Sequence, residues 1–133
     1  MQTKTFAPIP AEVERFAKQI VDAAFQVHKE LGPGLLESVY ATCLAYELRQ
    51  NGVRVETHLA LPITYKGVSL NASLELDLLV ENSVIVELKS VETMLPVFDA
   101  QLLTYLKLTK KRLGLLINFN VPVFRSGIKR LVL

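Results

Sequence analysis

The sequence predicts a mixed α/β fold, with helices flanking a central sheet that holds both parallel and antiparallel strands. Three observations carry this reading. Apolar residues recur every three or four positions from Val13 to Leu31, the period of a helix with one buried face. Three strand-like segments then follow one another between Val53 and Lys89. Finally, a helical stretch from Pro96 separates them from another apolar run, Leu113 to Phe119. A meander, a crossover helix and a returning strand together require a mixed sheet.

The first helix starts at Pro10, with Glu12 and Glu14 favoured near its positive end. Val13, Phe16, Ile20, Ala24, Val27 and Leu31 form its inner stripe, and Gly32-Pro33-Gly34 ends it. A second helix runs from about Leu35 to Gln50, turned inward through Leu36, Val39, Tyr40, Cys43 and Leu44, and Asn51-Gly52 stops it. Val53 to about Tyr65 forms a strand. Pro62 lacks an N–H for the ladder and places that strand at an edge or an irregularity. Lys66-Gly67 turns into a strand from Val68 to Val80, and Glu81-Asn82-Ser83 turns into a third, Val84 to Lys89. Pro96 opens a helix through about Leu108. Leu113 to Phe119 reads as a buried strand and Gly127 to Leu133 as a short last one. The order is α-α-β-β-β-α-β-β, without repeats or low-complexity segments.

At 133 residues the chain makes one domain. It covers residues 11–133, preceded by a flexible terminus, 1–10, that lacks apolar periodicity. Hydrophobic residues make up 50% of the chain, enough for a substantial core. The single cysteine, Cys43, excludes an intrachain disulfide and fits a reducing compartment. No signal-peptide pattern is present and no apolar run approaches about 18 residues. The expected location is therefore the cytoplasm, with no membrane partner. A net charge of +2 does not itself announce nucleic-acid binding. The basic residues are uneven, however: Lys107, Lys110, Lys111 and Arg112 cluster, followed by Arg125, Lys129 and Arg130. Such a run suits a phosphate-facing surface or a merely solvated one.

Asp77 and the triplet Glu87-Leu88-Lys89 carry the chemistry. With Glu81-Asn82-Ser83 as the loop, Val80 opposes Val84, Leu78 opposes Val86 and Asp77 opposes Glu87. Leu76 then meets Leu88, and Glu75 meets Lys89. Alternation puts Glu75, Asp77, Leu79, Ile85, Glu87 and Lys89 on one face, and Leu74, Leu76, Leu78 and Val80 on the other. Adjacent carboxylates on an apolar sheet repel and call for a cation. A hard divalent ion such as Mg²⁺ favours carboxylate oxygens; it activates water and neutralises phosphate charge. Lys89 would orient the water or offset developing charge. The plainer alternative is a solvated hairpin face on which Glu75 and Glu87 bracket Lys89.

Glu37 and Tyr40 share one face of the second helix. Glu37 is either a further acid of the site or a complement to the helix dipole. Gln101 and Tyr105, four apart on the third helix, are site groups or an amphipathic rim. His28, Cys43 and His58 lack the spacing of a zinc site; His28 is either a hydrated helix-end histidine, the leading reading, or a group that the Gly32-Pro33-Gly34 break folds back toward Glu37. No glycine-rich phosphate loop follows a strand.

Together these residues resemble the GxxExxY protein family, a small branch of the PD-(D/E)XK nuclease superfamily. Gly34, Glu37 and Tyr40 match its naming motif within Leu31 to Tyr40. Asp77-Leu78-Leu79-Val80-Glu81 and Val84-Ile85-Val86-Glu87-Leu88-Lys89 match the nuclease core. Ala100 to Lys107 matches the Q-x-x-x-Y helix of exonuclease-like members, and Gly114 to Phe119 the next strand. The likeness covers roughly Ile20 to Leu133.

The resemblance implies a restriction-endonuclease-like α-β-β-β-α-β core with an extra leading helix. It implies that Asp77, Glu87 and the Leu88 carbonyl are metal ligands, that Lys89 is the catalytic lysine and that Glu37 is an additional catalytic and metal-binding acid. Gln101, Tyr105, Tyr40 and Lys107 would support the site or touch the nucleic-acid backbone. Two departures bear on substrate contacts. Family members often carry a basic residue where this chain has Glu75, and a histidine before the Ala-Gln pair, where it has Phe98 and Asp99.

The leading expectation is thus a Mg²⁺- or Mn²⁺-dependent nuclease hydrolysing DNA phosphodiester bonds. So small a chain would recognise structure or ends, and a homodimer, as in small junction-resolving enzymes of similar fold, would widen its surface. Two alternatives stay open. One is a non-catalytic nucleic-acid-binding or interaction module with a nuclease fold. The other is an enzyme acting on a different phosphoester through the same cluster.

Overall fold

In a computed structural model, which describes residues 7–133, helix α1 spans Ala11–Leu31 and buries Ala17, Ile20, Ala23, Ala24 and Val27. Its small residues bring it close to its neighbours. It ends at Gly32, whose φ of 71° lies in the left-handed region that a residue without Cβ enters freely. Helix α2, Glu37–Gln50, starts two residues later than the pattern suggests, because Leu36 is extended and acts as its N-cap.

Strands β1 (Val55–Tyr65), β2 (Val68–Val80) and β3 (Val84–Lys89) form the antiparallel meander. Glu81 and Asn82 both adopt positive φ, and Ser83 N–H closes the turn onto the Val80 carbonyl at 2.9 Å, the geometry of a tight hairpin. Helix α3 (Pro96–Thr109) crosses over, so β4 (Leu113–Asn118) lies parallel to β3. A 3-10 turn, Phe124–Gly127, leads into β5 (Ile128–Val132), antiparallel to β4. The sheet order is β1-β2-β3-β4-β5. The mixed α/β architecture and the element order match the expectation, and β1 is an edge strand.

The helices take opposite faces. On one side α1 and α2 pack Ile20, Val27, Tyr40, Leu44 and Leu48 against Leu78, Val80, Val86, Leu88 and Ile117. On the other, Leu102 and Leu106 of α3 meet Leu76, Leu79, Ile85 and Leu116. Burying both faces explains why β3 and β4 are apolar along nearly their whole length.

One detail departs from strict alternation. Leu76 joins the α3-side core with Leu79, whereas Leu78 and Val80 face α1 and α2. The β1–β2 ladder pairs Thr57 with Leu78 and Leu59 with Leu76 but leaves out His58 and Asp77 between them, and His58 has a φ of 50°. A left-handed residue in an edge strand kinks the ladder and turns the outer half of β2. Leu76 and Leu88 therefore lie in different cores and do not pair.

Of the N-terminal segment expected to be flexible, residues 1–6 lie outside the described residues. Within 7–10, the Arg112 guanidinium donates to the carbonyls of Ala7 and Pro8, and Ile9 packs on the core. Among the described residues, no helix is long and apolar enough to cross a membrane.

Candidate active site

The regular β2–β3 ladder runs from Val80↔Val84 to Leu78↔Val86. Beyond it the two acids take over. Leu88 N–H donates to Asp77 Oδ2 at 2.8 Å, and Asp77 N–H donates to Glu87 Oε1 at 3.3 Å. The expected juxtaposition of Asp77 with Glu87 is present. Glu87 is 5% exposed, and burial, followed by the charge of Asp77, pushes its carboxyl up from 4.5 to about 8. Its side chain alternates with Ile85, which belongs to the α3-side core, so the acids open toward α3.

Lys89 follows on the same face. Its Nζ lies 4.3 Å from the centroid of the Phe98 ring. Glu75 does not meet Lys89: its carboxylate is 3.3 Å from His58 Nδ1, because the kink at His58 and Asp77 redirects that part of β2.

Tyr105 is half-buried on α3. Its hydroxyl is held above its ordinary pKa by burial and by the charges of Glu87 and Asp77, with a hydrogen bond to Gln101 acting in the opposite direction. The helix thus delivers Tyr105, with Gln101 one turn earlier, to the acids. Lys107 is exposed on α3.

Glu37 stands apart. It is exposed in the first turn of α2, on the far side of the sheet from α3. Among the described residues, no group of three His, Cys, Asp or Glu side chains is placed to hold a metal ion, so Glu37 does not join Asp77 and Glu87 in one. The loop before it is nonetheless tied to the end of β3, since Ser90 Oγ, next to Lys89, donates to the Leu35 carbonyl.

Tyr40 explains how that loop is held. Fully buried, it donates to the Gly32 carbonyl at 2.6 Å, accepts from Leu35 N–H at 3.1 Å and stacks on Phe119 with centroids 4.3 Å apart. It holds that loop from inside and presents no surface to a nucleic acid. His28 is likewise internal. It is buried, donates from Nε2 to the Val121 carbonyl at 2.7 Å and packs among Phe119 and Phe124, which corrects the expectation of a hydrated histidine.

Two residues escape sequence reasoning. Asn118, 3% exposed, opposes Lys89 in the β3–β4 register and clamps Val91 through both amide atoms, at 3.1 and 3.0 Å. Nothing in the local pattern marks it. Phe98 did leave a signal: with Gln101 and Tyr105 it repeats at i, i+3 and i+7, one face of α3.

The basic run is partly committed elsewhere. Lys129 pairs with Asp99, and Arg130 pairs with Glu14. Arg112 binds backbone carbonyls, which leaves Lys107, Lys110 and Arg125 exposed. A cavity of about 530 Å³ between β1, β2 and the end of α3 is lined by Leu59, Leu61, Leu76 and Leu108, with none of the site acids.

The donor set fits a hard divalent cation. Two carboxylates converge, one of them buried, with the Lys89 ammonium near enough for its charge to act on Glu87. A metal there would be held by Asp77, Glu87 and the Leu88 carbonyl, with water completing its shell. Comparison with curated proteins and with solved structures finds no match. The sequence model of the PD-(D/E)XK nuclease superfamily, by contrast, matches residues 14–131, a stretch that contains every residue of the site. The chain belongs to the PD-(D/E)XK nuclease superfamily.

Proposed function

We propose that the protein is a Mg²⁺- or Mn²⁺-dependent nuclease that hydrolyses DNA phosphodiester bonds, selecting structure or ends over sequence. The observation that carries this reading is the Asp77–Glu87 pair, fixed side by side at the end of a ladder with Lys89 on the same face. When bound, the cation supplies a water of lowered pKa and neutralises charge on the phosphate. Asp77, Glu87 and the Leu88 carbonyl bind and orient it. Lys89 places an ammonium where negative charge develops on the phosphate oxygens. The Tyr105 hydroxyl, kept protonated by burial and by the neighbouring acids, donates to the phosphate backbone, and Gln101 holds it in place. Lys107 adds a backbone contact that carries no sequence information. Glu37, in the first turn of α2 just after the tethered loop, acts through water, in keeping with the GxxExxY branch. The lone thiol of Cys43 suits the cytoplasm, and a homodimer would give the site a wider surface.

The test is cleavage of single-stranded, duplex and branched DNA with Mg²⁺ or Mn²⁺, comparing the native chain with Lys89→Ala. Metal-dependent cutting that disappears in the variant supports the nuclease. Binding without turnover in any metal would instead make the chain a nucleic-acid-binding module. Turnover restricted to small phosphoesters would identify a different substrate class.

A further inference from the structure

Lys89 has a choice of partner. Two residues along a strand are about 7 Å apart, so its four-carbon side chain can reach the Glu87 carboxylate on the same face. An ammonium beside two carboxylates gains energy by pairing with them. Yet among the described residues no ion pair joins Lys89 to Asp77 or Glu87. The ammonium lies over the Phe98 ring, 4.3 Å from its centroid, well within the ~6 Å at which an aromatic face attracts a cation.

Both partners are anchored. Phe98 sits in the first turn of α3 with its N–H bonded to the Leu95 carbonyl at 3.0 Å, and it packs on the α3-side core. On the other side, Asn118 clamps Val91 at 3.1 and 3.0 Å. That fixes the segment running from Lys89 toward α3.

We propose that Phe98 is a positioning residue: its ring parks the Lys89 ammonium and so prevents Lys89 from neutralising the Asp77–Glu87 pair, leaving both carboxylates free for a divalent cation. The proposal rests on the reading of that pair as a cation site. Without the ring, Lys89 falls back on the acids and competes with the metal for them.

The test is a double-mutant cycle read as Mn²⁺ affinity by titration calorimetry, on the native chain, Phe98→Leu, Lys89→Met and the double variant. Phe98→Leu weakens Mn²⁺ binding about three- to tenfold when Lys89 is present, the scale of one cation–aromatic contact. It has no effect in the Lys89→Met background, and Phe98→Tyr, which keeps a ring, retains native affinity. Equal losses in both backgrounds, or no loss in either, overturn the role of Phe98 while leaving the cation site standing. Absence of Mn²⁺ binding in all four chains overturns the cation site and this proposal with it. An independent readout needs no metal. In the metal-free native chain the Lys89 ε-methylene protons resonate upfield through the ring current and return to ordinary values in Phe98→Leu. Unshifted Lys89 protons in the native chain overturn the proposal.

Discussion

Asp77 and Glu87 each accept a backbone N–H from the opposite strand. Asp77 takes that of Leu88 at 2.8 Å, and Glu87 takes that of Asp77 at 3.3 Å. The carboxylates thereby replace the rungs that the β2–β3 ladder would otherwise place there. Their orientation is set by the sheet before any ligand arrives, the condition for tight electrostatic preorganisation. The cost is two acids in contact where Glu87 has little water, and a cation would relieve it.

That cost predicts a pH dependence of opposite sign to the usual carboxylate. The Glu87 carboxyl, raised by burial and by Asp77, releases its proton at about 8 in the folded chain against 4.5 ordinarily. Between these values the folded state holds a proton that the unfolded state lacks. This contribution to stability is complete below about 4.5 and is lost as pH rises through about 8. The metal-free chain should lose up to a few kcal/mol over that window, at about 1.4 kcal/mol per decade of proton affinity. Urea titrations at pH 5, 7 and 9 check it, and a flat profile would remove the buried, uncompensated Glu87. Binding of Mn²⁺ at pH 7 should release close to one proton, measurable by calorimetry in buffers of different ionisation enthalpy.

Glu87→Gln keeps the shape of the side chain and removes its charge. At pH 8 the metal-free variant should melt several degrees above the native chain, since a charge that burial disfavours and Asp77 repels is gone. The thermal stabilisation by millimolar Mn²⁺ or Mg²⁺ seen in the native chain should vanish. Scanning fluorimetry with and without metal reads both effects, and a variant less stable than the native chain would contradict the first.

The sequence made the frame of this site legible because its cues are local. The turn Glu81-Asn82-Ser83 sets the β2–β3 register, and Pro96 marks the start of α3. Sheet-wide effects were not legible. The left-handed His58 on a neighbouring strand breaks the alternation at Asp77, separates Leu76 from Leu88 and gives Glu75 a partner other than Lys89. No residue type near Asp77 encodes that kink. The sequence likewise could not show that Lys129 and Arg130 are spent on Asp99 and Glu14, acids 30 and 116 residues away.

Lys89→Ala should lower DNA cleavage by about 100- to 1,000-fold, the usual cost of removing one group that stabilises developing charge, with Mn²⁺ affinity retained. Tyr105→Phe removes a donor that burial and the acids keep protonated and should cost about tenfold, with no change in the alkaline limb of the pH–rate profile. Single-turnover rates separate these effects from binding. A Lys89→Ala variant at native speed would place the charge stabilisation elsewhere.

Gly127→Ala tests the frame behind the site. An added Cβ would lie 2.0 Å from the Asn118 carbonyl oxygen, a backbone atom that cannot yield as a side chain would. The variant should lose about 2 kcal/mol or more, and because Asn118 opposes Lys89 its cleavage rate should fall as well. Circular dichroism melts and single-turnover assays read the two effects, and an unchanged melting temperature would mean the Asn118 segment yields freely.

Tyr40→Phe tests whether the loop before Glu37 belongs to the site. The hydroxyl serves both the Gly32 carbonyl and Leu35 N–H, within a side chain that is fully buried. Its removal leaves those two backbone groups without that partner and should destabilise the fold by about 1–3 kcal/mol, while the stacking on Phe119 is kept. Leu35 also accepts from Ser90, the neighbour of Lys89, so loosening the loop disturbs both Glu37 and the end of β3. Cleavage measured well below the melting temperature should therefore fall in Tyr40→Phe, and fall no further when Glu37→Gln is added. Native-rate cleavage by a variant with a lowered melting temperature would confine Tyr40 to stability, and a native rate in Glu37→Gln alone would remove Glu37 from the reaction.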